Sequence, residues 1–284
     1  MKRLLINSLP KSGTHLLAKA VELFGYKEYF TSEGYVEGTP IFFSYKHVKN
    51  SLKNASVKKK GVKISIGALT PFFIDSAILH HWLNIIPANR YTWGHIPYTP
   101  TLAPIIKELN YSHFFIIRDP RAVVASQIPF ILSAGEKMPG RHFLEDDFKD
   151  MSPADRLNFF LEGGDAKKAG VKIKSFQEVY RSMLLWKDDP NCLFIRFEEL
   201  IGEKGGGTRE QQNKIMKRIS LHIGVPVEKN TFIKSDKIYD TDSRTFVSGR
   251  IDGWKTSMDK ELRKVLCDYC EPLCREAGYT EENR

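Results

Sequence analysis

The 284-residue chain has no run approaching the roughly 20 consecutive apolar residues of a membrane-spanning helix. Its opening, "MKRLLINSL", carries basic residues, but the apolar run is too short for a secretory signal and leads straight into a loop. These two absences make a cytoplasmic protein with no membrane span the expectation. The glycosylation patterns "NAS" at 54 and "NYS" at 110 then carry no meaning, because they act only on secreted chains. Cysteine is scarce, with four residues at 192, 267, 270 and 274. Three lie in "CDYCEPLC", which lacks the four ligands and the spacing of a zinc or iron–sulfur site. On a helix over 258–279 these three share a face next to Leu266 and Leu273. That face is expected to be reduced and buried, with a kink at Pro272.

Acid is missing from one stretch altogether. Residues 46–63, "KHVKNSLKNASVKKKGVK", hold seven Lys and no Asp or Glu, so the net charge of +9 falls to +2 over the rest of the chain. The first reading of such a run is a solvated loop. The second is a docking surface for an acidic carrier that presents a substrate. No aromatic residues interleave with these lysines, so nucleic-acid binding is not expected. The basic balance, with a pI near 9.2, favours an anionic ligand without naming it.

What is present is a large apolar fraction, 42%, in an alternation of strand and helix patterns without internal repeats. "RLLINSL" and "SHFFIIRD" are compact apolar runs suited to buried parallel strands, and "NCLFIRFEEL" supplies a third. Helical spacing follows in "HLLAKAVELFGY", "PFFIDSAILHHWLNII", "TPTLAPIIKELNY", "PRAVVASQIPFIL", "SFQEVYRSMLLWKD" and "NKIMKRISLHIGV". Asp119 and Pro120 are placed as N-cap and first helical residue. The expected fold is α/β with three layers: a central, mainly parallel sheet with helices on both faces, in one domain over 1–284. Residues 134–172 turn polar and Gly-rich, which suggests a lid or substrate loop inserted in that domain, and "GEKGGGTREQQ" at 202–212 reads as a flexible connection. The apolar residues of "TPFFIDSAILHHW", with Trp93 and Tyr98, fit either a substrate pocket or core; core is the better reading.

In such sheets ligands bind beyond the C-terminal strand ends. The loop "PKSGT" at 10–14 sits at one of them, between the first strand and a helix. Free N–H groups at a helix N-terminus favour an anion, Lys11 adds a full charge, Gly13 lets the backbone approach, and Ser12 and Thr14 add donors. The nucleotide pattern G-x-x-x-x-G-K-[ST] is absent: Pro10 precedes Lys11, and Leu5 stands where its first Gly belongs. A second strand end carries "FFIIRDPRAVVASQ". There Arg118 is set to fork two N–H bonds onto a phosphate, and Ser126, eight residues on, reaches from the following helix.

Together these two motifs, in this order, resemble the sulfotransferases that use 3′-phosphoadenosine 5′-phosphosulfate (PAPS) as donor. "WGHIP" is similar to that family's segment bearing a catalytic His, matched here by His95, and "FVSGRIDGWK" is similar to its closing C-terminal stretch. The resemblance runs from residue 4 to about 278. It implies a P-loop-like fold and transfer of a sulfuryl group from PAPS to an acceptor, a hydroxyl most often, small or carrier-bound. His95 would be the general base, and Lys11 would donate to the bridging oxygen. Lys11, Ser12, Gly13, Thr14 and His15 would hold the 5′-phosphate, and Arg118, Ser126, Ser248, Gly249 and Arg250 the 3′-phosphate. The family's adenine contacts fall on Leu16, where many members have Trp, and on Phe197, where many have Tyr. No metal is required in that scheme.

Departures are concentrated at the edges. His15 replaces a second Thr, Trp93 stands where the family has Lys, and Val247-Ser248 stands where it has Arg-Lys, with Arg250 as the substitute. Two rival readings follow: an ATP- and magnesium-dependent kinase-like transferase, and a nucleotide-binding relative without catalysis.

Overall fold

The computed structural model describes residues 1–54, 61–137, 142–227, 235–239 and 249–279. Its strands are β1 (Arg3–Ser8), β2 (Lys27–Glu28), β3 (Lys63–Ile66), β4 (Phe72–Asp75), β5 (Arg90–Gly94), β6 (Tyr111–Ile117), β7 (Gly164–Ala166), β8 (Val171–Ile173) and β9 (Cys192–Arg196). Its helices are α1 (Thr14–Glu22), α2 (Tyr45–Ser51), α3 (Ser76–Asn84), α4 (Leu102–Glu108), α5 (Pro120–Lys137), α6 (Glu145–Lys149), α7 (Pro153–Glu162), α8 (Phe176–Leu184), α9 (Phe197–Leu200), α10 (Arg209–Ile223) and α11 (Lys260–Ala277).

A five-stranded sheet in the order β2-β5-β1-β6-β9 forms the middle layer, and its neighbouring strands pair in parallel. β6 is buried along its whole length because both faces of the sheet are covered. Period-two geometry sends Leu4, Ile6, Phe114 and Ile116 into a core with residues of α1 and α10. It sends Leu5, Phe115 and Ile117 into the larger core with residues of α3, α8 and α11. Each such side chain, fully buried, contributes about 1.5–3 kcal/mol.

The structure redraws several sequence boundaries. "PFFID" is not the start of a helix: Phe72–Asp75 pairs with β3 as an antiparallel hairpin, and Asp75 Oδ1 then caps α3 by accepting the Ala77 N–H at 2.9 Å. Strand β5 had no counterpart among the expected elements. The stretch over 134–172 contains α6, α7 and the β7–β8 hairpin rather than one irregular excursion. Its Leu144, Phe148, Leu157, Phe160, Leu161 and Ala166 belong to the larger core. Gly202, Gly205 and Gly207 sit in a packed turn: a Cβ on Gly205 would collide with Ile201 Cγ1 and lie 2.8 Å from the Gly249 carbonyl. Ile78, Leu79, Trp82 and Leu83 are core residues, so the apolar 71–86 segment is packing, although Phe73 is exposed. Helix α11 continues through Pro272, and Cys270 and Cys274 lie buried on its inner face with Leu266 and Leu273. Burial pushes the Cys274 thiol up to about 12. No helix of the described residues is long and apolar enough to cross a membrane.

Candidate active site

Strand order decides the site. β1 lies between β5 and β6, so the C-terminal ends of these three strands deliver His95, the 9–14 loop and Arg118 side by side.

The loop is shaped by two left-handed residues, Lys11 at φ 67° and Gly13 at φ 101°. A non-glycine in that region is uncommon and marks stored strain, which clusters at functional sites. Gly13 is required on two counts, its φ and the space around it. A Cβ there would lie 2.7 Å from Phe197 Cδ2 and 3.2 Å from Ile116 Cδ1. Helix α1 opens directly after Gly13 with no side-chain cap, the arrangement in which a helix N-terminus favours an anion. Ser12 is fully buried, and its Oγ has no hydrogen-bond partner among the described residues. An orphaned hydroxyl beside an uncapped helix N-terminus fits an anionic oxygen. Thr14 Oγ1 lies 2.6 Å from Ser8 Oγ, and Lys11 Nζ lies 4.2 Å from the centre of the Phe130 ring.

His95 is set against this loop by the β1 strand. Its Nδ1 is 2.7 Å from the Ser8 carbonyl oxygen. A carbonyl only accepts, so Nδ1 carries the proton and Nε2 holds the basic lone pair. The turn is fixed by Asn7: its Nδ2 donates to the Ile96 carbonyl at 2.8 Å and its Oδ1 accepts the Ile96 N–H at 2.9 Å. The Trp186 indole N–H adds a second bond to that carbonyl at 2.9 Å. Burial pushes the imidazole down to about 4, the bond to the Ser8 carbonyl opposing it. His95 is therefore neutral at pH 7. The Phe42 ring lies 4.6 Å from it, and Phe42 stacks on Trp93 at 6.0 Å.

Arg118 is buried at the end of β6. Its Nη1 donates to the Lys11 carbonyl at 3.4 Å and its Nη2 to the Arg250 carbonyl at 2.8 Å. The guanidinium thus ties the first loop to the C-terminal segment. It lies over the Phe197 ring, with Cζ 4.2 Å from the ring centre. Its Nε is buried without a partner among the described residues. Asp119 forms its ion pair with Arg121, at 2.8 Å. Asp147 accepts the backbone N–H groups of Lys168 and Ala169. The Arg118 guanidinium is bonded instead to the two backbone carbonyls, and the Glu198 and Asp119 carboxylates counter the burial of its charge. Ser126 is buried two turns along α5 and Leu16 is buried on α1.

The C-terminal segment fits partly. Gly249 adopts φ 59°, and the Arg250 carbonyl, not its exposed side chain, meets Arg118. Trp254 packs on Ala122 and Ala125 of α5, and the Arg121 guanidinium lies 4.4 Å from its ring centre. Ser248 lies outside the described residues, as do Val247 and Lys58–Lys60. His15 sits edge-on to Trp93 at 4.8 Å. Asn7, Ser8 and Phe130 were not among the sequence candidates. The one signal for Asn7 was a polar residue inside an apolar strand. Among the described residues no group of His, Cys, Asp or Glu is arranged to hold a metal ion.

A parallel sheet covered on both faces, with a glycine loop leading into a helix at one strand end and a buried Arg at the next, is a P-loop-like α/β architecture, in which ligands bind beyond the C-terminal strand ends. The family described as "Sulfotransferase domain" matches residues 1–278, and the chain belongs to it. A comparison with curated protein sequences finds no match. Among solved structures the chain is similar to mouse sulfotransferase SULT7A1, complexed with PAP, with a TM-score of 0.56 and 17% identity over 96% of this chain and 85% of that one. It is also similar to a retinol dehydratase in complex with androsterone and the inactive cofactor PAP, with a TM-score of 0.52 and 14% identity over 99% and 83%. At these identities the likeness is one of fold.

Proposed function

We propose that this sulfotransferase moves a sulfuryl group from PAPS to the hydroxyl of an acceptor, with His95 as general base. The observation that carries the reading is the 2.7 Å approach of His95 Nδ1 to the Ser8 carbonyl: with that nitrogen donating, Nε2 is left as the basic atom. A neutral imidazole with its lone pair free takes a proton from an attacking hydroxyl at neutral pH. PAPS, when bound, supplies the sulfuryl group and a bisphosphorylated adenosine as leaving group.

The chain's own residues divide that work. The α1 N-terminal N–H groups and Ser12 hold the 5′-phosphate. Lys11 neutralises charge on the bridging oxygen as the S–O bond breaks. Arg118 and Ser126 grip the 3′-phosphate, with Gly249 and Arg250 closing over it. Leu16 and Phe197 fall at the family's adenine contacts, and Phe197 lies under the Arg118 guanidinium. The orphaned Ser12 Oγ and Arg118 Nε support two phosphate grips rather than one. A kinase reading asks for only one.

Thermal stabilisation separates the two: adenosine 3′,5′-bisphosphate is expected to raise Tm well beyond ATP with magnesium, and the reverse order would favour the kinase. His95→Ala is expected to lower turnover about 10²–10⁴-fold while leaving bisphosphate affinity within twofold. Wild-type turnover in that variant removes His95 from the chemistry. A screen of alcohols, phenols, amines, sugars and carrier-bound hydroxyacids with labelled donor identifies the acceptor. It also excludes a purely binding role when desulfated nucleotide is released.

A further inference from the structure

Two buried groups next to Arg118 have no part in that scheme. One is the carboxylate of Glu198 on α9; the other is the phenol of Tyr279, which follows Gly278 at the end of α11. Glu198 Oε1 accepts the Asp119 backbone N–H at 3.0 Å, and its Oε2 accepts the Tyr279 hydroxyl at 2.9 Å. From the other side, the Tyr180 hydroxyl donates to the Arg118 carbonyl at 3.0 Å. The single peptide plane joining Arg118 to Asp119 is therefore held at both ends, its C=O by Tyr180 and its N–H by Glu198. That plane is where β6 stops and α5 starts. Its tilt sets the direction in which the Arg118 side chain leaves the backbone.

Tyr279 is itself clamped. Its N–H donates to the Cys274 carbonyl at 2.7 Å, and Arg196 Nη2 bonds the Ala277 carbonyl at 2.9 Å. The Arg196 guanidinium lies 5.4 Å from the Tyr279 ring centre. A rigid C-terminal turn thus fixes Tyr279, Tyr279 fixes Glu198, and Glu198 fixes the peptide plane.

We propose that Glu198 and Tyr279 are positioning residues that aim Arg118 at the second phosphate of the nucleotide, so that the end of α11 governs discrimination between bisphosphorylated and monophosphorylated adenosine. This rests on the reading that Arg118 grips that phosphate.

The test titrates wild type, Tyr279→Phe, Glu198→Gln and Glu198→Ala with adenosine 3′,5′-bisphosphate and with adenosine 5′-monophosphate, by calorimetry. Tyr279→Phe removes one hydroxyl and keeps the ring packing. It is expected to raise the bisphosphate Kd about three- to tenfold, the range for one lost hydrogen bond, and the monophosphate Kd less than about twofold. Glu198→Gln keeps an acceptor for the Asp119 N–H and is expected to fall between wild type and Glu198→Ala. In turnover the donor KM should rise while kcat holds. Equal weakening of both ligands, or an unchanged bisphosphate Kd in Tyr279→Phe, overturns the proposal. A wild type with no preference for the bisphosphate overturns the donor reading itself, and this proposal with it.

Discussion

Gly13 carries the tightest constraint of any residue in the candidate site. Its φ of 101° belongs to a region that L-residues rarely occupy, and the space where a Cβ would stand is taken by the Phe197 ring at 2.7 Å. Gly13→Ala is therefore expected to cost about 1–3 kcal/mol in urea unfolding. It should also weaken bisphosphate binding, because Phe197 must move and Arg118 rests on it. An unchanged Kd would show that the ring yields without disturbing the guanidinium. The reasons for Lys11, Gly13 and Arg118 were legible in the sequence, since each depends on a short motif and on its own type of side chain. Asn7 was not. Its partners are the backbone groups of Ile96, 89 residues away, and nothing local in "RLLINSL" names them.

At the scale of elements, β1, β6 and β9 announced themselves by apolar runs that no solvated strand would carry. β5, "RYTWG", did not, because it is short and mixes polar residues with a Gly. It is a strand because β1 and β2 pair with it on either side. This strand leads directly into His95, so the missing element was also the one that places that candidate beside the 9–14 loop. Residues 134–172 misled in the other direction, since polar and Gly-rich composition hid apolar residues at core spacing. Helix α11 offers an element-scale prediction. Asp259 Oδ1 accepts the Leu262 N–H at 2.8 Å and caps the helix. Asp259→Ala is expected to lower stability by about 1 kcal/mol in denaturant melts. A variant with the wild-type midpoint would show that tertiary packing alone holds that end.

The whole molecule should respond to acid through its histidines. Burial pushes His95 and His142 down to about 4 and His113 down to about 3. In the unfolded chain each takes a proton near pH 6.5. Between 6.5 and the folded values the unfolded state binds more protons, so stability is complete above about pH 6.5 and falls as pH drops towards 4. His113 is fully buried with neither ring nitrogen bonded among the described residues, and it accounts for roughly 3 kcal/mol of that loss by pH 4. The urea midpoint of wild type should therefore drop steeply over this range, and that of His113→Leu should drop less. Equal slopes would mean that His113 is hydrated or titrates normally.

The amino-acid sequence by itself determined the class of fold and singled out the 10–14 loop, the strand-end Arg118 and His95 as candidates. All of these follow from apolar periodicity and from which side chains and glycines stand in short contiguous stretches. Only the tertiary structure decided which strands lie beside β1. With that order came the His95 tautomer, the Asn7 clip, the Phe197 support and the hold of Glu198 and Tyr279 on Arg118. These depend on backbone groups brought together from distant parts of the chain. A backbone carbonyl or N–H is the same in every residue, so no residue identity marks the one that will serve as partner.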